Sequence, residues 1–165
     1  MKARCRLPAV AALGLALLAC GAAERGRLHP GAPSPPFTLA ALDGASFDSR
    51  SLAGRPAVLN FWATWCQPCW REIPELQALA REGRVAVVSI ALDEEGARTV
   101  APFVARRGID YPVLLGDQEL FRRFDGLTIP YTLLLDPAQR VARIYRGPTS
   151  RAAIEADLVE IERAL

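Results

Sequence analysis

The chain has 165 residues and a formal charge of +2, but Lys2, Arg4 and Arg6 sit in a signal-like start. Removing these three from the 20 basic groups leaves 17 against 18 acids, a balance of −1. That balance excludes a basic field for nucleic acid and a polybasic arm for a membrane surface, so no nucleic-acid partner is expected. Lys2 is the only lysine, which reflects base composition rather than mechanism.

Residues 1–19 read as a signal peptide: a positive start without acids, then an apolar core over Ala9–Ala19. That core is shorter than the roughly 20 residues of a comfortable membrane span. Leu17-Leu18-Ala19-Cys20-Gly21 resembles the bacterial lipobox, in which a small residue precedes a lipidated cysteine that becomes the new N-terminus. Cys20 is therefore the expected lipidation site, and the chain an extracytoplasmic lipoprotein on the periplasmic side. Cleavage near Ala22-Ala23, or an uncleaved anchor, are the alternatives. Residues 20–36 hold Pro30, Pro33, Pro35 and Pro36 and no apolar periodicity, and read as a semi-extended tether. At about 3.1 Å per residue it would reach about 50 Å at most.

Residues 37–165 fit one domain with one core. Phe37–Leu42 and Ser46–Leu52 flank Asp43-Gly44 as a short hairpin. Ala57–Trp62 is almost continuously apolar, as a strand covered on both faces should be. A helix follows over Trp70–Glu82, with Pro68 in its first turn, Pro74 expected to kink it, and Gly83 ending it. Val85–Leu92 is a second buried strand, and the two strands with their helix form a right-handed parallel βαβ unit. Glu94–Arg107 reads as helix with Pro102 as a candidate break, Tyr111–Leu115 as a strand and Gln118–Phe124 as a helix. Tyr131–Leu135 and Arg140–Arg146 flank Asp136-Pro137 and should pair antiparallel. Ser150 caps a last helix with Ala153, Ile154, Leu158, Ile161 and Leu165 on its apolar face.

Between the first buried strand and its helix lies Trp65-Cys66-Gln67-Pro68-Cys69. Two cysteines three apart at a strand-to-helix junction can close a small disulfide and open it again by exchange, which reads as a thiol–disulfide redox site. Zinc sites also use C-x-x-C. Here there is no second such pair, and His29 is the only histidine, so soft ligands are too few for a four-ligand site. No metal and no cofactor is expected. Cys5 would leave with the signal and Cys20 would carry lipid, which leaves Cys66 and Cys69 as the redox-active disulfide without an internal competitor. Outside the cytoplasm that dithiol must be kept reduced actively.

The order β-α-β-α-β-α-β-β-α resembles a thioredoxin fold: a three-layer α/β/α architecture with a short N-terminal hairpin and a helix–strand insertion between Asp93 and Gly116. Asn60-Phe61-Trp62-Ala63-Thr64-Trp65-Cys66-x-Pro68-Cys69, Pro74-Glu75-Leu76 and Thr128-Ile129-Pro130 are similar to the TlpA/ResA branch of that superfamily, over roughly Pro36 to Leu165. The resemblance implies a thiol–disulfide oxidoreductase. Cys66, at the helix start where free N–H groups favour a thiolate, would be the exposed nucleophile. Cys69, one turn on and more buried, would resolve the mixed disulfide.

The uncharged Gln67-Pro68 is similar to the reducing members. Ile129-Pro130 matches the superfamily's cis-proline loop, whose backbone would pair with an extended partner segment. Trp65, Gln67, Pro68, Ile129 and Pro130 are thus the expected substrate-binding residues. Asn60 stands where thioredoxins proper carry a buried aspartate, and the branch pattern has a glutamate just after the second strand. Glu94 fits that pattern by spacing and is the expected third catalytic residue, against a plain helix-cap role for Asp93, Glu94 and Glu95. Trp62 reads as core. Trp65 reads as a cover over the disulfide and partner surface. Trp70 is open between recognition surface and packing against the tether, and Tyr131 is expected to narrow or decorate the groove.

The implied role is reduction of disulfides in exported proteins, cytochrome c maturation being the commonest role in the branch, by a monomer supplied by a membrane thiol donor. A disulfide oxidase or isomerase, a thiol peroxidase and a redox-inert lipoprotein scaffold are the other readings. Peroxidases of the related group place the nucleophile in a Thr-x-x-Cys loop, which Thr64-Trp65-Cys66 does not reproduce, and a scaffold would not need the intact pair.

Overall fold

A computed structural model describes residues 27–164 of the chain; the signal segment and Cys20 lie outside them. Strands β3 (Ala57–Trp62) and β4 (Ala86–Ala91) carry no exposed residue at all. Such strands belong at the centre of a sheet covered on both faces. They pair in parallel from Ala57 opposite Ala86 to Trp62 opposite Ala91. Strand β6 (Tyr131–Leu135) runs antiparallel on the other side of β3, and β5 (Val113–Leu115) parallel on the other side of β4. The hairpin of β1 (Thr38–Ala41) and β2 (Ser46–Asp48) extends the sheet past β5, and β7 (Val141–Arg146) closes the other edge. The strand order is β2-β1-β5-β4-β3-β6-β7.

Because side chains alternate along a strand, β3 feeds two cores. Leu59 and Phe61 point to one face, where helix α3 (Gln118–Arg123) adds Leu120 and Phe121. Val58 points to the other, against Leu76 and Leu79 of α1 (Ile73–Glu82) and Ile154, Leu158 and Ile161 of α4 (Arg151–Ala164). Helix α2 (Ala97–Arg107) lies at the same side over Trp62, packing Val100 and Phe103 against the active-site end of the sheet. This is the expected three-layer α/β/α order, with α2 and β5 as the insertion.

Several local expectations are corrected. The stretch after Cys66 is not one kinked helix. Gln67–Arg71 is a 3₁₀ turn, and α1 starts afresh at Ile73 with Pro74 in its first turn, where a missing N–H leaves no bond unmade. Pro102 lies inside α2 without ending it. Ser49–Leu52, read as the end of a strand, is a 3₁₀ turn capped by Asp48.

The segment read as a free tether is held to the domain from Leu28 onward. The amide of Gly31 donates to Val141 O at 2.7 Å, that of Val141 to Ala32 O at 2.9 Å, and that of Ser34 to Gln139 O at 2.9 Å. Leu28 packs on the α3-side core, and its amide donates to the Asp125 carboxylate. The edge of β7 is thereby covered where it begins, which satisfies backbone groups that an open edge would expose.

Candidate active site

Strand β3 ends at Trp62, and the chain turns through Ala63 and Thr64 before Trp65. The turn is tied down from β4. Asp93, just beyond the end of that strand, is buried and accepts from the Thr64 amide at 3.0 Å, with a further contact from the Thr64 hydroxyl. Cys66 and Cys69 follow, joined by a disulfide with an S–S length of 2.03 Å and a Cα–Cα separation of 5.3 Å. Cys66 caps the 3₁₀ turn, and the Cys69 amide points at its sulfur at 3.3 Å. An N–H aimed at Sγ favours the negative thiolate once the disulfide is reduced.

The expected contrast in exposure is not present in this disulfide form. Cys66 is 4% and Cys69 2% exposed. What distinguishes them is their surroundings. Cys66 sits between the exposed side chains of Trp65 and Gln67, whereas Cys69 leads into Trp70 and the buried Glu72 and Ile73.

The Ile129–Pro130 peptide is cis, and the Pro130 carbonyl accepts from Gly147 at 2.9 Å. Neither backbone polar group of Ile129 has a backbone partner among the described residues. Trp65 (67% exposed) and Leu127 (84%) are the exposed large hydrophobic residues of the described chain. One adjoins Cys66 and the other lies three residues before the cis-proline. Gln67 and Pro68 are exposed as well, whereas of the other expected substrate-binding residues Ile129 is half-buried against the cluster that holds Cys66 and Cys69, and Pro130 is buried. Tyr131 does not decorate the expected groove. Its ring is buried against Phe61 and Phe121, and its hydroxyl donates to Phe124 O at 2.9 Å. A large residue after the proline is accommodated because the strand's alternation sends it into the α3-side core.

Glu94 is exposed and does not supply the buried carboxylate expected of it. The strand ends one residue earlier than that expectation needs, so Asp93 turns inward to hold Thr64 and Glu94 turns to solvent. The buried acid comes instead from Glu72, which is 1% exposed and one helical turn beyond Cys69. Its Oε2 accepts from Asn60 Nδ2 at 3.2 Å, and its Oε1 accepts from the Thr149 amide at 2.7 Å. Asn60 Nδ2 also donates to Thr132 Oγ1 at 2.9 Å. Sheet register sets Ser89, Asn60 and Thr132 side by side across β4, β3 and β6, a polar row under α1. Burial pushes the Glu72 carboxyl up to about 7, against the pull of the Thr149 and Asn60 hydrogen bonds. Asn60 thus does not leave the site without an acid; it orients one delivered from another element. The available signal was the three-residue offset from Cys69, which places Glu72 on the face of the turn that carries that cysteine.

Trp62 is core, its ring tilted against that of Phe103 at 5.3 Å between ring centres. Trp70 packs on α2 rather than on the N-terminal segment: its ring lies 5.9 Å from that of Phe103, and its indole N–H donates to Thr64 O at 3.0 Å. Among the described residues no group of three or more His, Cys, Asp or Glu is placed to hold a metal ion.

A strand-end dithiol beside a cis-proline, backed by a buried carboxylate, defines a thiol–disulfide oxidoreductase of the thioredoxin fold. The chain belongs to the AhpC/TSA family, whose model matches residues 30–154. It is 29% identical over 157 residues to the thiol-disulfide oxidoreductase ResA of Geobacillus thermodenitrificans (strain NG80-2), covering 93% of this chain and 90% of that one. A thiol:disulfide interchange protein of the thioredoxin family from Chlorobium tepidum TLS superposes with a TM-score of 0.70 at 32% identity, over 82% of this chain and 99% of the other. A secreted Mycobacterium tuberculosis disulfide oxidoreductase, homologous to E. coli DsbE, superposes with a TM-score of 0.66 at 26% identity, over 75% and 95%. The chain is accordingly a thiol–disulfide oxidoreductase of the ResA type.

Proposed function

We propose that this oxidoreductase is a lipid-anchored extracytoplasmic reductase of disulfides in exported proteins, haem-binding cysteines of c-type cytochromes among them. The observation that carries the reductive direction is the uncharged Gln67-Pro68 loop, which places neither a histidine nor another cation beside the cysteines to stabilise the thiolate, and with it the reduced form, further. The Cys66 thiolate attacks a partner disulfide, forms a mixed disulfide and releases one partner thiolate. The Cys69 thiolate then attacks the Cys66 sulfur and releases the second. Two electrons pass to the partner and the Cys66–Cys69 disulfide remains, to be re-reduced by a membrane dithiol donor. Glu72 takes the proton that Cys69 must lose before resolution, a task suited to a carboxyl poised near neutrality. The partner segment lies along Ile129, whose free backbone groups invite strand addition, and over Trp65.

A redox titration of the pair tests the direction. A reductase should fall below about −200 mV, whereas a value near the roughly −120 mV of strong oxidants would make it an oxidase. Cys66→Ser should abolish insulin reduction, and Cys69→Ser should accumulate mixed disulfides. Turnover of hydrogen peroxide at a rate above that of disulfide reduction would favour the thiol-peroxidase reading instead. Intact mass tests the anchor: a chain beginning at Cys20 should carry diacyl or triacyl glycerol, and a soluble product beginning at Glu24 would refute the tether.

A further inference from the structure

On the α2 side of the active-site loop lies a groove of about 250 Å³ lined by Thr64, Trp70, Thr99, Phe103, Arg106 and Arg107. Its floor is aromatic. The Arg107 guanidinium carbon lies 4.7 Å from the centre of the Trp70 ring and 5.3 Å from that of Phe103. A cation–π contact of this kind holds the guanidinium against the rings but uses none of its N–H groups. Arg106 beside it is exposed, and neither arginine makes an ion pair or hydrogen bond to any described residue. Arg50, Arg81, Arg84, Arg143 and Arg151 are each matched to a carboxylate, and among the described arginines that are not, Arg107 is the one held over two aromatic rings. Asp93, bonded to the groove residue Thr64, is buried with both oxygens occupied. Two arginines in the last turn would complement the α2 dipole, but that role requires no stacking and no groove.

We propose that this groove recognises a carboxylate side chain of the partner polypeptide, an Asp or Glu close in sequence to its disulfide, with Arg107 as the specificity-determining residue and Arg106 in support. The inference deepens the oxidoreductase reading and rests on it. A guanidinium held against two rings offers a carboxylate two parallel N–H bonds, with the aromatic floor on one side of the pair. Both walls belong to the active-site neighbourhood: Thr64 lies two residues before Cys66 and Trp70 directly follows Cys69. In the proposed arrangement a residue flanking the partner's cysteine lies against Arg107 while that cysteine is held at Cys66. Trp70 acts here as the platform that orients the arginine.

The test uses disulfide peptides that differ only in one position beside the cysteine, Glu, Gln or Arg, so that the comparison needs no protein variant. The reduced wild-type protein should reduce the Glu peptide with a kcat/KM about fivefold above the Gln peptide and further above the Arg peptide, the preference fading in 1 M salt. Arg107→Gln should bring Glu and Gln peptides level while leaving the rate on uncharged hydroxyethyl disulfide unchanged. Arg107→Lys should restore only part of the preference, because a point charge lacks the planar fork. Binding is read separately with peptides bearing Ser in place of Cys: the Glu peptide, and not the Gln peptide, should shift the Trp70 indole N–H resonance. Equal kcat/KM for Glu and Gln peptides, or equal indole shifts, would overturn the proposal. Failure to turn over any disulfide, with the indole shift intact, would instead count against the oxidoreductase reading and leave carboxylate binding established.

Discussion

Glu72 carries the tightest link between chemistry and stability in this molecule. Its side chain is buried and its carboxyl is raised from 4.5 to about 7. Between those values the folded protein holds a proton that the unfolded chain has released, so stability falls as pH rises through this window and levels off above about 7. The size of the fall is about 3 kcal/mol at 1.36 kcal/mol per unit. Urea unfolding of the oxidised protein at pH 5 and pH 8 should show it, and Glu72→Gln should flatten the difference. The same variant should slow resolution of the mixed disulfide by about 10²-fold or more at pH 7, read as accumulation of the intermediate in quenched reactions. Glu94→Gln should change neither quantity, since its side chain lies in water. Asp93→Ala should cost about 1–3 kcal/mol, because the Thr64 amide and hydroxyl lose their acceptor. That loss is expected in urea midpoints together with a broadened Trp65 signal.

At the level of elements, helices α1 and α4 depend on one another through both apolar and polar contacts. Leu76 and Leu79 face Ile154, Leu158 and Ile161. Two α1-side carboxylates reach the start of α4: Glu72 accepts from the Thr149 amide and Glu75 from the Arg151 amide at 2.8 Å. These amides belong to a helix start that has no intrahelical partner to offer them. Leu158→Ala, at 1% exposure, should cost about 2–5 kcal/mol through lost burial and an unfilled cavity. Because α1 carries Glu72 and adjoins Cys69, the variant should also alter the pH profile of disulfide reduction, whereas a change confined to the hairpin β1–β2 should not. Equal effects from both sites would contradict this coupling.

For the molecule as a whole, the N-terminal segment decides where the domain ends. Leu28 to Ser34 lie along β7 and against the Asp125 turn, which leads within five residues to the cis-proline. The Arg140 guanidinium donates to Gly31 O at 2.8 Å beside the start of β7, and that of Arg123, at the end of α3, donates to Pro36 O at 2.6 Å. A chain that begins at Phe37 should therefore be less stable than one that begins at Leu28 by about 2–4 kcal/mol, from the burial of Leu28 and the lost edge bonds. Thermal unfolding of the two chains checks this, and equal midpoints would return residues 28–36 to the role of a passive tether.

How much of this was legible in the linear chain follows from which interactions are local. Apolar runs marked β3 and β4, helical periodicity marked α1 and α4, and the spacing of Cys66 and Cys69 at a strand-to-helix junction marked the redox pair, because each pattern reports a local geometry of fixed period. The cis bond at Ile129-Pro130 was expected only through the resemblance to the superfamily's loop, because an X–Pro bond taken by itself is usually trans. Trp70, Tyr131, Glu72 and the N-terminal segment were not readable in this way. Whether Trp70 meets α2 or the tether, and whether Tyr131 faces the groove or the core, depends on the side to which a neighbouring element packs. Glu72 and Glu94 are both acids near a helix start, and the offset of Glu72 from Cys69 gives its face of the turn but not its burial. Only tertiary packing buries Glu72 beside Asn60 and leaves Glu94 in water, and it is the loss of water that raises the carboxyl toward neutrality.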